Sequence, residues 1–332
     1  MDHSSSQSQK NINQQIESSL PLLDDFLLNL QVNNYSPETL YNYERDLKVF
    51  ENFLLESRLS FAKLTKKDVL NYKALLISLD RKTPNLEPGE KQLNAYSVNR
   101  MLSVLRSYLK YLIDMDHDTP LPPDAIKMIK TIKKRAQVAE LDELIRLIEY
   151  PSQIEKDQRV ALRNRAMLEV LFSTGMRISE LVNLKISQVD KSGRIFILGK
   201  GKKERFVYLT PRALKILTEY LNTRLDDSPY AFVPYRGLRA KELKHKKISP
   251  NYLQAKIKQY RELLGINVPI SAHSLRHGFA TYLAEAGANP AAIQILLGHE
   301  SLDTTTRYVH ASDRYAEKTQ QKFHPLKEVA SD

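Results

Sequence analysis

From Asp114 to Glu140 the helical periodicity that marks both flanks of the chain fails. Pro120, Pro122 and Pro123 cluster there, and Lys127, Lys130, Lys133, Lys134 and Arg135 follow. Each proline removes a backbone donor and clashes with a preceding turn, so no helix continues through the stretch. The 332 residues therefore divide into two parts, each of ordinary domain size and large enough to bury a core of its own. The expected organisation is a helical amino-terminal domain over residues 20–114, a basic linker over 115–139 and a second domain over 140–332. Residues 1–19, rich in serine, glutamine and asparagine, offer little to bury and read as a mobile tail without chemistry.

Within residues 20–114 four apolar patterns at helical spacing are separated by turn chemistry. Leu23, Phe26, Leu27 and Leu30 form the first stripe. In the second, Ser36 caps, Pro37 takes the first helical position, and Leu40, Tyr43, Leu47, Phe50 and Leu54 recur. Thr65 caps a third through Val69, Tyr72, Leu75 and Leu76, broken by residues 84–89. Ser97 opens a fourth, with Met101, Leu105, Tyr108 and Leu112 inward and Arg100, Arg106 and Lys110 elsewhere. A solvated face and a phosphate-binding face both account for those three cations. The second domain also reads as mostly helical, with one exception: apolar runs at 195–198 and 206–209 flank a glycine-lysine turn, which is a β-hairpin signal. Pro211 opens a helix after it, and no fixed-period repeat is visible. With only ten glycines, 42% apolar and 27% charged residues, a mainly α fold is expected.

Charge narrows the partners. Lysine and arginine total 50 against 39 acids, a net charge of +11, and residues 1–150 hold 20 of the bases and 21 of the acids. The excess thus lies in the second half, which should be drawn to polyanions such as DNA, RNA or an anionic membrane surface. The absence of cysteine excludes disulfides, thiolate nucleophiles and zinc-thiolate sites. No apolar run reaches the roughly 18–20 residues of a membrane span, and the amino terminus lacks a signal-peptide core. A cytoplasmic, nucleoid-associated protein without a membrane partner is the expectation.

Three segments supply the cations that chemistry at a phosphate needs. In TGMRISELVNL, Arg177 follows a Thr174-Gly175 break and opens a helix packed by Ile178, Leu181 and Leu184. An arginine there opposes the helix macrodipole. An ion pair with Glu180 explains it, and so does a phosphate held jointly by the guanidinium and the helix end. In GKGKKER, Lys200 sits between Gly199 and Gly201; tip lysines are usually solvated, but one delivered on a stiff hairpin can protonate a leaving alkoxide. In HSLRHGFATYLAEAG, His273 and Arg276 share a helix face, with His277 one position round. Gly287 ends that helix, Asn289-Pro290 caps the next, Gly298 ends it, and Ser301 caps another holding Tyr308. A helix-turn-helix DNA reader carries similar punctuation. Taken together, two arginines, a lysine and two histidines beside glycine-bounded turns suit a pentavalent phosphate, with a tyrosine as nucleophile.

On these motifs the chain closely resembles the tyrosine recombinases, or phage integrase family, and in particular their Xer branch. The family's arginine motif matches Arg177 in TGMRISEL, its hairpin lysine matches Lys200, and its H-x-x-R motif matches His273 and Arg276. Its L-G-H motif matches Leu297, Gly298 and His299, and its tyrosine matches Tyr308. A looser match through Ser36-Pro37-Glu38-Thr39 and the first-half helices extends the resemblance over residues 20–326. The resemblance implies a small all-α, SAM-like core-binding domain and a mostly α catalytic domain with a small β-hairpin, which together clamp a DNA duplex. It makes Arg100, Arg106 and Lys134 expected DNA contacts.

The resemblance also implies roles. Tyr308 attacks the scissile phosphate to give a 3′-phosphotyrosine and a free 5′-hydroxyl, and Arg177 and Arg276 stabilise the non-bridging oxygens. Lys200 is general acid, His273 general base and His299 a hydrogen-bond donor, with Glu180 orienting His273 or Arg177. No metal and no other cofactor is expected. Strand exchange through a Holliday junction calls for a tetramer, either of this chain alone or with a paralogue, and residues 315–326 are expected to dock on a neighbouring subunit. Chromosome dimer resolution and mobile-element integration or excision are both open, as is a DNA translocase as activating partner. The alternatives are a type IB topoisomerase, which shares the chemistry without exchanging partners, and a non-catalytic helix-turn-helix regulator.

Overall fold

The computed structural model describes residues 20–79, 83–85, 87, 92–131, 137–198, 204–237 and 246–298. The amino-terminal tail, Lys134, Lys200, His299, Tyr308 and the segment 315–326 lie outside the described residues. The chain separates into two compact units, dividing after Lys134.

The first unit is built from α1 (Leu23–Val32), α2 (Pro37–Glu56), α3 (Lys66–Ile77) and α4 (Ala95–Asp114). Their starts follow from local chemistry. Ser36 Oγ accepts the Thr39 N–H at 3.2 Å with Pro37 in the first turn, and Thr65 and Asp68 form a reciprocal capping box on α3. α4 begins two residues before the expected Ser97, because Asn94 Oδ1 accepts the Ser97 N–H at 2.9 Å and becomes the cap. The stripes converge on one core: Phe26, Leu30, Leu47, Phe50, Leu54, Val69, Tyr72, Leu76, Met101, Leu105, Tyr108 and Leu112 are buried, while Leu23, Leu27, Leu40, Tyr43 and Leu75 pack partly buried against it. Truncating one of the buried leucines to alanine should cost about 2–5 kcal/mol.

This unit continues past Asp114. Leu121 and Ile126 are buried in the same core, and Asn99 on α4 exchanges two hydrogen bonds with the Ile129 backbone, at 2.9 and 2.7 Å. Prolines stop the helix there, but apolar residues between them still find a groove.

The second unit is arranged around α7 (Gln158–Thr174), preceded by α5 (Leu141–Glu149) and the single turn α6 (Pro151–Ile154). α7 is buried on most of its circumference, from Ala166 through Leu171, which is the mark of a central helix. Its buried polar groups are paired: Arg163 donates to Val233 O at 2.9 Å and to Tyr252 Oη at 2.5 Å, and Asn164 donates to Tyr260 Oη at 2.7 Å. α8 (Ile178–Asn183) follows, then the hairpin β1 (Arg194–Leu198) and β2 (Glu204–Tyr208), antiparallel with Ile197 opposite Arg205. α9 (Pro211–Asn222), α10 (Pro250–Leu263), α11 (Ala272–Glu285) and α12 (Pro290–Leu297) follow among the described residues. The fold is thus mainly α, with one two-stranded sheet among the described residues. Among the described residues no helix is long and apolar enough to cross a membrane.

Candidate active site

The loop between α7 and α8 sets the first arginine. Thr174 turns its hydroxyl back onto Val170 O at 2.6 Å and accepts the Met176 N–H at 3.2 Å, which closes α7. Gly175 is left-handed at φ +62°, and a Cβ there would stand 2.4 Å from the Phe279 ring and 3.1 Å from Leu297. Only glycine lets α11 and α12 approach this closely. Arg177 then takes the cap position of α8. Its backbone N–H donates to Glu180 Oε2 at 2.7 Å and its Nη1 to Oε1 at 3.0 Å. The ion pair read from the sequence is therefore formed, with Arg177 still about 39% exposed and Glu180 nearly covered.

A third arginine joins them. Arg205, inward on β2, donates Nη1 and Nη2 to the same two Glu180 oxygens at 3.0 and 2.7 Å, and Nε to Leu296 O at 2.9 Å. Burial pushes the Glu180 carboxyl up, but the Arg205 and Arg177 hydrogen bonds and charges outweigh it and hold its pKa below the ordinary value. The sequence reading did not single out Arg205. Residues 206–209 are an unbroken apolar run that does not mark which positions face inward, and only the fold shows Arg205 and Val207 turned in with Glu204, Phe206 and Tyr208 turned out.

Arg276 is buried on α11 and donates to Gly175 O and Leu297 O, both at 2.7 Å. It thus ties the Arg177 loop to the end of α12. His273 lies one turn earlier, in the first turn of α11. Loss of water around part of its ring, then the charges of Arg276 and Arg177, lowers its pKa from the ordinary imidazole value. His277 is lowered too, by burial and then by His273, and it shares a hydrogen bond with Thr281 Oγ1 at 3.2 Å. α12 ends at the left-handed Gly298, against whose Cα the Arg205 side chain packs. His299 follows directly in sequence.

Arg177, Glu180, His273 and Arg276 are thus brought into one cluster, while Lys200, His299 and Tyr308 lie outside the described residues. Tyr282 and Tyr315 are rival tyrosines in the sequence; Tyr315 lies outside the described residues, and Tyr282 donates its hydroxyl to Ala139 O at 2.9 Å, while burial followed by the Glu140 and Glu285 charges pushes it up to about 12. That is the reverse of what a nucleophile needs. In the first unit, Arg100 pairs with the buried Asp46, and Arg106 pairs with the exposed Asp124 at 2.5 Å. The structure gives both arginines carboxylate partners and leaves each about two-fifths exposed.

Residues 134–314 match the phage integrase family, and residues 23–115 match its N-terminal SAM-like domain. The chain belongs to the phage integrase family of tyrosine recombinases. It is similar to tyrosine recombinase XerC of Leptospira interrogans, 32% identical over 88% of this chain and 89% of the relative. Tyrosine recombinase XerD of Staphylococcus epidermidis is 30% identical over 92% and 98%. Among solved structures the same fold is seen in XerH bound to difH substrate before cleavage, at TM-score 0.63 and 23% identity over 84% of this chain and 78% of that one. It is seen again in a lambda integrase tetramer bound to a Holliday junction, at TM-score 0.65 and 19% identity over 88% and 76%. As a tyrosine recombinase of the Xer type, the chain is a DNA strand-exchange enzyme.

Proposed function

We propose that this recombinase cuts and rejoins double-stranded DNA at a specific site through Tyr308. The phenolic oxygen attacks the scissile phosphorus, a 3′-phosphotyrosine bond forms, and the bond to the 5′-oxygen breaks. His273 accepts the phenol proton and Lys200 delivers one to the departing 5′-oxygen, so the step is balanced without a co-reactant. Rejoining reverses it, with a 5′-hydroxyl as nucleophile. The covalent bond conserves the energy of the phosphodiester, and no ATP is consumed.

The observation that carries this reading is the cation cluster at the α7–α8 loop, where Arg177 and Arg276 are fixed by Glu180, Gly175 O and Leu297 O. Donors already held in place stabilise the oxygens of a pentavalent phosphate without reorganising. A phenol of ordinary pKa about 10 also needs such charges beside it to react as phenolate at neutral pH. Burial and the Arg276 and Arg177 charges favour the proton-free form of His273, as a base requires. His299 adds a hydrogen bond to the phosphate.

Exchange runs through a Holliday junction in a tetramer, composed of this chain alone or with a paralogue, with residues 315–326 docking on a neighbour. The first unit contributes to duplex binding, with Arg100, Arg106 and Lys134 as phosphate contacts. The cellular role is chromosome dimer resolution or mobile-element integration and excision, on DNA of the cytoplasm and with a translocase as a candidate activator. Selection of the bound sequence from genomic DNA separates the roles: a site near the replication terminus supports resolution, an element end supports integration.

The chemistry is tested with a nicked suicide duplex resolved on a denaturing gel. Protein-linked DNA should form, persist in Tyr282→Phe and vanish in Tyr308→Phe while DNA binding survives. Persistence in Tyr308→Phe would sink the assignment. Relaxation of supercoils without joined products would point to topoisomerase chemistry, and binding without linkage to a regulator.

A further inference from the structure

Arg205 occupies an inward strand position opposite Ile197, with a side chain about 5% exposed. Strand alternation calls for an apolar residue there. Stability alone does not call for an arginine, since replacing a buried ion pair by apolar side chains of similar volume is often neutral or favourable. What the guanidinium adds is direction. It grips both oxygens of Glu180 in a two-pronged geometry and anchors its third nitrogen on Leu296 O. The same two oxygens hold the backbone and the side chain of Arg177.

We propose that Arg205 is a positioning residue for strand cleavage, an inference that rests on the reading given under Proposed function. It fixes the Glu180 carboxylate, and through it the Arg177 guanidinium, against the end of α12 that runs directly into His299. Without Arg205, Glu180 keeps, among the described residues, only the donors of Arg177 itself, and carboxylate and guanidinium are free to swing together. A displacement near 1 Å of a group that must meet a transition-state oxygen is enough to slow the reaction severely. The same arginine explains the glycine at position 298: a Cβ there would lie 3.0 Å from Arg205 Cδ and 3.3 Å from its Nε and Nη1.

The test uses the full-length chain and a nicked suicide duplex carrying the genomically selected site. At saturating protein, Arg205→Met should lower the single-turnover rate of covalent linkage about 10- to 100-fold with DNA affinity within about twofold, and Arg205→Lys should recover part of the rate. In a Glu180→Gln background, Arg205→Met should cost less than about twofold more, because both changes remove one linkage. The double variant lacks both buried charges, so it keeps the test open if Arg205→Met alone fails to fold.

A folded Arg205→Met that cleaves at the wild-type rate, losing only thermal stability or DNA affinity, overturns the inference. So do costs that multiply in the double variant, or a double variant that folds and cleaves normally. Linkage absent from the wild type, or retained by Tyr308→Phe, instead overturns the underlying reading, and the positioning role falls with it.

Discussion

Arg205 and Arg276, drawn from β2 and α11, donate to consecutive carbonyls at the end of α12: Leu296 O at 2.9 Å and Leu297 O at 2.7 Å. The last carbonyls of a helix have no partner within it and carry its partial negative charge. Two buried guanidinium groups satisfy both requirements at once. The helix end that precedes His299 is thereby locked to the loop that presents Arg177.

This close approach makes the glycines unequal. Alanine at Gly287, φ +89° with open space around it, meets only backbone strain, about 1–2 kcal/mol. At Gly298 the same strain is joined by displacement of Arg205. At Gly175 the new Cβ stands 2.4 Å from the Phe279 ring, adding an overpacking cost of about 1–3 kcal/mol. Thermal unfolding should rank the losses Gly287→Ala, Gly298→Ala, Gly175→Ala in increasing order, with cleavage spared only in the first. Equal shifts for all three would refute the packing account.

Glu180 should show its charge in the pH dependence of stability. Its folded pKa is depressed, so its contribution is present above the unfolded carboxyl value and is lost as pH falls through the folded one. Glu180→Gln removes that contribution. The stability gap between wild type and variant should therefore be widest near neutral pH and close at acid pH, as read from denaturant midpoints across pH. A gap independent of pH would mean that the carboxylate is not what stabilises the cluster.

The first-unit arginines should separate by the burial of their partners. Arg100→Ala leaves the Asp46 carboxylate, about 2% exposed, with Arg45 at 3.7 Å as its remaining cation among the described residues. Stability should drop by about 1–3 kcal/mol, since the uncovered charge is buried. Arg106→Ala releases an Asp124 that is about 87% exposed, and stability should change by under about 1 kcal/mol. If Arg106 also meets a phosphate, its removal should lower the salt slope of DNA binding by about 1. An unchanged slope would remove Arg106 from the interface.

Much of this was legible in the sequence because it is local. Caps at Ser36 and Thr65, the Thr174-Gly175 break and the Asn289-Pro290 start are each decided by neighbours within four residues, and each is found where read. The Arg177–Glu180 pair, three residues apart, was legible for the same reason. One local start was missed: Asn94, three residues before Ser97, caps α4. What the sequence otherwise hid is what long-range contacts decide. The packing of Leu121 and Ile126 into the first core depends on a groove formed by other segments. Arg205 reaches Glu180 across 25 positions and Leu296 across 91, and no periodicity announces either partner.

His273 supplies a sharper test of mechanism. Desolvation, Arg276 and Arg177 all favour its neutral form, so its folded pKa is below the ordinary imidazole value near 6.5. For a base depressed in the fold, the unfolded chain binds the proton more readily. Stability therefore falls as pH drops from the unfolded value through the folded one and is unaffected above it. If His273 accepts the Tyr308 proton, the cleavage rate should be flat near neutrality and fall on the acid side at a pH below that of an ordinary histidine. His273→Gln should be slower at neutral pH and lose that acid limb. Because Arg177 contributes to the depression, Arg177→Lys, which keeps the charge, should leave the limb nearly in place, whereas Arg177→Met should move it to higher pH. The profile is measured by single-turnover linkage to a suicide duplex at saturating protein; an acid limb that survives in His273→Gln would assign the titration to another group.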